Sequence, residues 1–181
     1  MIIRGANETD ADALAAIYGH HVLHGFGTFE EEPPPAAEMA RRLAAIRGLG
    51  LPYLVAEQDG VVLGFAYAGP FRLRPAYRYT LEDSVYIAPD AVGKGVGRAV
   101  LGAVIEACAD LGVRQLVAVI GDSGNAASIG LHTALGFTHQ GVGRSFGFKH
   151  GRWVDIVWMQ KALNGGDLTS PEGPGVPLSG S

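Results

Sequence analysis

The chain has 181 residues, 48% of them hydrophobic, and a formal net charge of -4. That length supports one well-buried core and is too short for two large domains, and the negative balance gives no general attraction to nucleic acid or to anionic membranes. No run approaches the apolar length of a membrane span, the opening MIIRGANETD lacks the marks of a signal peptide, and the single cysteine, Cys108, has no second thiol to pair with.

A soluble, cytoplasmic protein is therefore expected. In chain order, MIIRGA reads as a first strand. TDADALAAIYGHHVLHG follows as a helix, with Thr9 and Asp12 at capping-box-like spacing and Leu14, Ile17, Tyr18 and Val22 on one face. GFGTFEEEPPP is a loop ending at Pro35, and AAEMARRLAAIRGLG is a second amphipathic helix stopped by glycine. Two apolar runs meet at Asp59-Gly60, the strongest short hairpin signal in the chain. After the irregular, aromatic PFRLRPAYRYT comes a fourth strand around Ser84–Ile87, which feeds a glycine loop and a long helix from about Gly95 to Leu111. QLVAVIG is a buried fifth strand, NAASIGLHTALGF a short helix closed by Gly136, and the two last strands join near His150-Gly151. The order implies an α/β fold, a mixed sheet with helices on both faces. Residues 164–181, rich in Gly, Pro and Ser, are expected to form a flexible tail.

The glycine loop carries the first chemical signal. Gly93, Gly95 and Gly97 precede an apolar helix, an arrangement that lets main-chain N–H groups converge on a phosphate. Lys94 is followed by Gly95 rather than by Ser or Thr, so the loop is not a magnesium-holding Walker A site, and G-x-G-x-G halfway along the chain is not the dinucleotide fingerprint. A tight turn that binds nothing is the alternative. Arg72, Arg74, Arg78, Lys94 and Arg98 form a local basic cluster on an acidic chain, which either is solvated charge or serves a small anionic ligand. Cys108 sits in an apolar helical run and reads as core packing before it reads as a catalytic thiol. His20 and His24 have helical zinc-binding spacing without a third ligand, so no metal is assigned.

The strand SVYIAP, the glycine loop opening a long helix and the downstream NAASIGLHTALGF together resemble the GNAT superfamily of acyl-CoA N-acyltransferases. Its loop pattern, Gln/Arg-x-x-Gly-x-Gly/Ala, is matched by Gly95 and Gly97, while Val92 stands at the Gln/Arg position. EDSVYIAP, VAVIGDSGNAASIGLHTALGF and GFKHGRWVDIVWMQ are similar to the branch containing phosphinothricin and methionine sulfoximine or sulfone acetyltransferases. The resemblance runs to about Leu163 and implies a mixed, mostly antiparallel sheet of about seven strands flanked by about four helices, in a domain spanning residues 1–163.

It also implies acetyl-CoA as co-substrate. The pyrophosphate would lie on the N–H groups of Gly93, Lys94, Gly95, Val96, Gly97 and Arg98, and the pantetheine arm on the backbone of Val85, Tyr86 and Ile87, with a polar contact from Asn125. Asn125 is equally explained as a helix cap. Glu82, alone a solvated strand-end charge, matches the branch's glutamate base; neighbouring Asp83 faces the other way on a strand. His132 stands where many GNAT enzymes carry the tyrosine that protonates the departing thiolate, and the branch has histidine there, although a histidine packed on the sheet fits as well. Arg72 and Arg78 could fork a substrate carboxylate, with Phe29 and Phe71 as an apolar wall, or be surface and core residues respectively. The expected reaction is direct acetyl transfer to the α-amino group of a small amino acid analogue. Another amine acceptor (polyamine, aminoglycoside or peptide N-terminus) and a non-catalytic acyl-CoA-binding module remain as alternatives. No nucleic-acid or membrane partner is expected, and a homodimer is left open.

Overall fold

The computed structural model describes residues 1–178. Strand β1 (Ile2–Gly5) leads through a single 3-10 turn into helix α1 (Ala11–His24), followed by α2 (Ala36–Gly48), strands β2 (Tyr53–Gln58), β3 (Val61–Pro70) and β4 (Thr80–Ile87), helix α3 (Val96–Asp110), β5 (Gln115–Gly121), α4 (Ala126–Ala134), β6 (Thr138–Lys149) and β7 (Arg152–Ala162). The seven strands form one sheet in the order β1-β2-β3-β4-β5-β7-β6. Every pairing is antiparallel except β4 with β5, which is parallel.

Strand alternation sorts the interior into two cores. Val55 and Phe65 point to one face, where Leu14, Ile17, Tyr18 and Val22 of α1 and Met39 and Leu43 of α2 cover them. Their neighbours Ala56 and Ala66 point to the other, under Val96, Val100, Leu101 and Val104 of α3. Opposite faces of one strand thus serve opposite helical layers. Both two-residue hairpins have the positive φ that such turns require, 52° and 79° at Asp59-Gly60 and 49° and 77° at His150-Gly151.

The start of α1 differs from the sequence expectation. Asn7 and Asp10, not Thr9 and Asp12, form the capping box: the Asn7 carboxamide oxygen accepts from Thr9 N–H (2.9 Å) and the Asp10 carboxylate accepts from Asn7 N–H (2.8 Å). Asp10 is chosen because Arg4 reaches it from β1 with two bonds of 2.8 and 2.7 Å, holding its carboxyl below the usual range.

The segment expected to be a flexible tail makes specific contacts as far as residue 178. Arg114, 8% exposed, donates to the carbonyls of Gly166 (2.8 Å) and Thr169 (2.6 Å). Val176 is buried in the α3-side core, and its N–H donates to Arg78 O at 2.9 Å. Residues 179–181 of that segment lie outside the described residues. Among the described residues no helix is long and apolar enough to cross a membrane.

Candidate active site

The site arises where the sheet divides. β4 pairs with β3 along its length, but with β5 only over Thr80–Asp83 against Gln115–Ala118. Beyond Ala118, β5 stays with β7, and the two parallel strands part. A cavity of about 470 Å³ opens between them, walled by β4, the start of α3, the end of β5 and the inner face of α4. The freed edge of β4 therefore faces the cavity without a neighbouring strand, a surface on which an extended ligand can continue the ladder.

At one end of the cavity Gly93 and Gly95 hold φ of 77° and 81°, where a side chain would be strained, and Gly95 caps α3. The first bond of the helix runs from Ala99 N–H to Gly95 O (3.1 Å), so the N–H groups of Val96, Gly97 and Arg98 precede the hydrogen-bonded ladder. They suit an anion, with the helix dipole in support. Residues 85–87, Gly93 and residues 95–98 all line the cavity, as does Asn125, whereas Lys94 does not. Asn125 caps α4 by accepting from Ser128 N–H at 3.1 Å and also reaches Gly121 O.

His132 lines the same cavity from α4 and is 2% exposed. Its Nδ1 lies 2.7 Å from Ser128 O and its Nε2 lies 3.0 Å from the Asp83 Oδ2. Asp83 is 5% exposed, and its Oδ1 has no hydrogen-bond partner among the described residues. Burial pushes the Asp83 carboxyl above its ordinary range, with His132 pulling the other way; burial works to lower the imidazole, but the Asp83 contact carries it above its ordinary value. Cys108 is buried and its thiol is pushed up to about 12 by burial and by the Asp83 charge, so it remains a protonated core residue.

Glu82 takes the opposite face of β4 and is not part of the cavity lining. It is half-buried, and burial and the Asp83 charge raise its carboxyl, with Arg72 opposing. Its strand neighbours Thr80 and Val117 line a second cavity of about 370 Å³, together with Phe71, Tyr77 and Trp158. Arg72 lies over the Phe71 ring, 4.6 Å from its centroid. Glu82, Arg72 and Phe71 are thus brought to one side of the sheet. Arg78 and Phe29 are not. The Arg78 guanidinium donates to Pro75 O (3.0 Å) and lies over Tyr79, while its carbonyl is taken by Val176. The half-exposed Phe29 ring lies on Gly147 of β6 and lines neither cavity.

Sequence reasoning does not single out three of the site residues. Asp83 reads there only as the neighbour that faces away from Glu82, although its flanking Leu81 and Val85 mark a buried face. His21 donates from Nε2 to Ile87 O at 2.9 Å and lines the cavity, and burial lowers its basicity so that it stays neutral; its spacing from the core residue Ile17 is the available signal. Lys149, inside the GFKHG run, is 1% exposed and holds the Gly25–Thr28 loop at the rim of the cavity. The His20 and His24 rings are 4.8 Å apart, and among the described residues no group of three or more His, Cys, Asp or Glu is placed to hold a metal ion.

Comparison with known proteins agrees with this geometry. The family model described as an acetyltransferase (GNAT) domain matches residues 3–158. The chain is similar to a phosphinothricin N-acetyltransferase of Alcaligenes faecalis, 56% identical over 170 residues, covering 94% of this chain and 86% of that one. It is also similar to an L-methionine sulfoximine/L-methionine sulfone acetyltransferase of Salmonella typhimurium, 40% identical, covering 91% and 95%. Among solved structures, a GNAT superfamily phosphinothricin acetyltransferase from Sinorhizobium meliloti in complex with acetyl-CoA superimposes with a TM-score of 0.93 at 46% identity, covering 98% of this chain and 96% of that one.

Proposed function

The chain belongs to the GNAT acetyltransferase family and is an acetyl-CoA-dependent N-acetyltransferase, and from that premise we propose that its acceptor is the α-amino group of a small amino acid analogue of the phosphinothricin or methionine sulfoximine type. The observation that carries the reaction is the parting of β4 from β5 over a cavity that ends on the open N-terminus of α3. The residues present fit acetyl-CoA: first-turn N–H groups suit a pyrophosphate, and the free β4 edge suits an extended amide-bearing arm. When bound, the co-substrate supplies an activated acetyl thioester.

In this reading residues 1–163 form the catalytic domain, with 164–181 appended. Gly93, Gly95 and residues 96–98 hold the pyrophosphate, and residues 85–87 align the arm. Lys94, outside the cavity lining, contributes only its position in the loop. Glu82 removes the ammonium proton of the acceptor, and His132 gives a proton to the departing thiolate. Arg72, beside Glu82 and over Phe71, orients the acceptor carboxylate. Arg78, whose main-chain carbonyl accepts from Val176 N–H, ties the C-terminal segment to the stretch before β4. Transfer is direct in this reading, which the buried, protonated state of Cys108, the only cysteine, supports by removing the thiol as an acetyl carrier.

The decisive experiment follows thiol release from acetyl-CoA over phosphinothricin, methionine sulfoximine, methionine sulfone, ordinary amino acids, polyamines and aminoglycosides. Phosphinothricin or methionine sulfoximine should give the highest kcat/KM, and converting their carboxylate to a carboxamide should cost most of it. A carboxamide used as well as the acid would move the acceptor to another class of amine, and binding of acetyl-CoA without release from any acceptor would leave only a binding module.

A cytoplasmic location and a homodimer complete the proposal. The support for a dimer is three exposed aromatics on β6 and β7, Phe146, Phe148 and Trp153, at 59%, 59% and 63% exposure, with Phe148 and Trp153 packed edge to face. Sedimentation equilibrium should give about twice the 18.9 kDa chain mass; a mass of one chain would reject the dimer.

A further inference from the structure

We propose that Asp83 is the positioning residue for His132, and that the buried pair holds one shared proton at the wall of the coenzyme cavity for delivery to the thiolate. This rests on the reading of His132 as thiolate donor. The first observation is the fixed tautomer. Nδ1 faces a carbonyl at 2.7 Å, and a carbonyl only accepts, so Nδ1 carries a proton. Nε2 faces Oδ2 at 3.0 Å, and one of those two atoms must donate. The contact therefore contains one proton, on Nε2 with an ionised Asp83 or on Oδ2 with a neutral ring.

The second observation is what surrounds the pair. Asp83 Oδ1 is buried with no partner among the described residues, which makes a bare carboxylate costly there and retains the shared proton. Phe137 packs edge-on against the imidazole at 5.0 Å. The titratable neighbours are Cys108 from α3 and Glu82 next along β4, with His21 and Arg98 on the same cavity wall. Of these, Cys108 and His21 are uncharged, so Asp83 is the group in hydrogen-bond contact that sets the charge state of His132.

The proton balance closes. As the tetrahedral intermediate collapses, the C–S bond breaks and its electron pair stays on sulfur. The shared proton moves to sulfur and forms the thiol, leaving an ionised Asp83 beside a ring protonated only at Nδ1. The proton lost by the acylated nitrogen, passed through solvent, reloads the pair. An acceptor that begins as an ammonium thus releases one net proton to solvent in each turnover, the one taken by Glu82.

Asp83→Asn tests this with nearly unchanged shape. The carboxamide so introduced would donate to Nε2, occupy its lone pair and keep the ring neutral. We expect kcat to fall about 100-fold, the lower end for loss of a positioned acid, with the KM for acetyl-CoA changed little. The high-pH limb of kcat that the pair contributes in the wild type should disappear, because the variant ring holds no second proton to lose. In 15N-histidine spectra, the His132 Nε2 signal should respond to pH in the wild type and report a neutral ring throughout in the folded variant. A wild-type kcat and pH limb in Asp83→Asn, or an unaltered His132 titration, overturns the proposal. If His132→Gln loses turnover while Asp83→Asn does not, Asp83 alone is excluded; if His132→Gln keeps full kcat, the donor reading falls first.

Discussion

Lys149→Met should lose about 2–4 kcal/mol of stability, because it strands two carbonyls in the interior. Lys149 is 1% exposed, and its Nζ donates to Gly25 O at 2.9 Å and Thr28 O at 2.8 Å, a long cation closing a loop that lies far earlier in the chain. Methionine fills a similar volume but offers no donor. The loop it holds is not free to drift without consequence. It crosses the end of β5 so closely that a Cβ on Gly121 would collide with the Phe26 carbonyl, and Gly27 lines the coenzyme cavity. The same variant should therefore raise the KM for acetyl-CoA as well as lower the denaturation midpoint. Tyr18 gives the loop a second anchor through Thr28 Oγ1 at 2.8 Å, so the fold should survive with its rim loosened. A variant with the wild-type midpoint in urea would show that both carbonyls find other partners.

Lys149 also marks the limit of what the sequence displays. Local signals are legible: Asp59-Gly60 and His150-Gly151 specify their turns by the φ they tolerate, and the glycines at 93 and 95 sit where a left-handed backbone enters α3. Signals that depend on distant partners are not. Thr9 and Asn7 are both competent caps, and Arg4 on β1 decides between them by fixing Asp10. Arg78 sits close in sequence to Glu82, but its guanidinium turns to Pro75 O and the Tyr79 ring, and its main-chain carbonyl accepts from Val176 at the far end of the chain, contacts that local sequence does not announce. Residues 164–178 look unstructured by composition because nothing in them says that Arg114 will bind their carbonyls. Asp83 and Glu82 alternate on β4 as any strand requires, but which faces the cavity is set by where β4 and β5 part, a property of the sheet rather than of either residue.

Glu82→Gln should lower kcat/KM by about 100-fold or more near neutral pH while leaving the protein at least as stable. Burial, and next the Asp83 charge, raise the Glu82 carboxyl above its ordinary range, and Arg72 opposes them. A raised carboxylate is a stronger base, nearer to the ammonium that the proposed role has it deprotonate, and it becomes competent only as pH rises through its folded value. Wild-type activity should then rise along a limb displaced upward from the ordinary carboxylate range. The variant should lack that limb and recover only as the acceptor amine deprotonates unaided, so the deficit is largest at low pH and narrows at high pH. The stability effect has the opposite sign. A carboxyl whose folded value lies above its unfolded one contributes fully below the unfolded value, and that contribution is lost as pH rises through the folded value. At neutral pH the ionised Glu82 is therefore a burden on the fold, and a neutral amide of the same shape removes it. Urea denaturation at pH 7 and a pH profile of kcat/KM separate the two effects. A variant that loses activity and stability together would make Glu82 a structural residue, whereas lost activity at unchanged or increased stability is what a base held in an unfavourable, half-buried position must show.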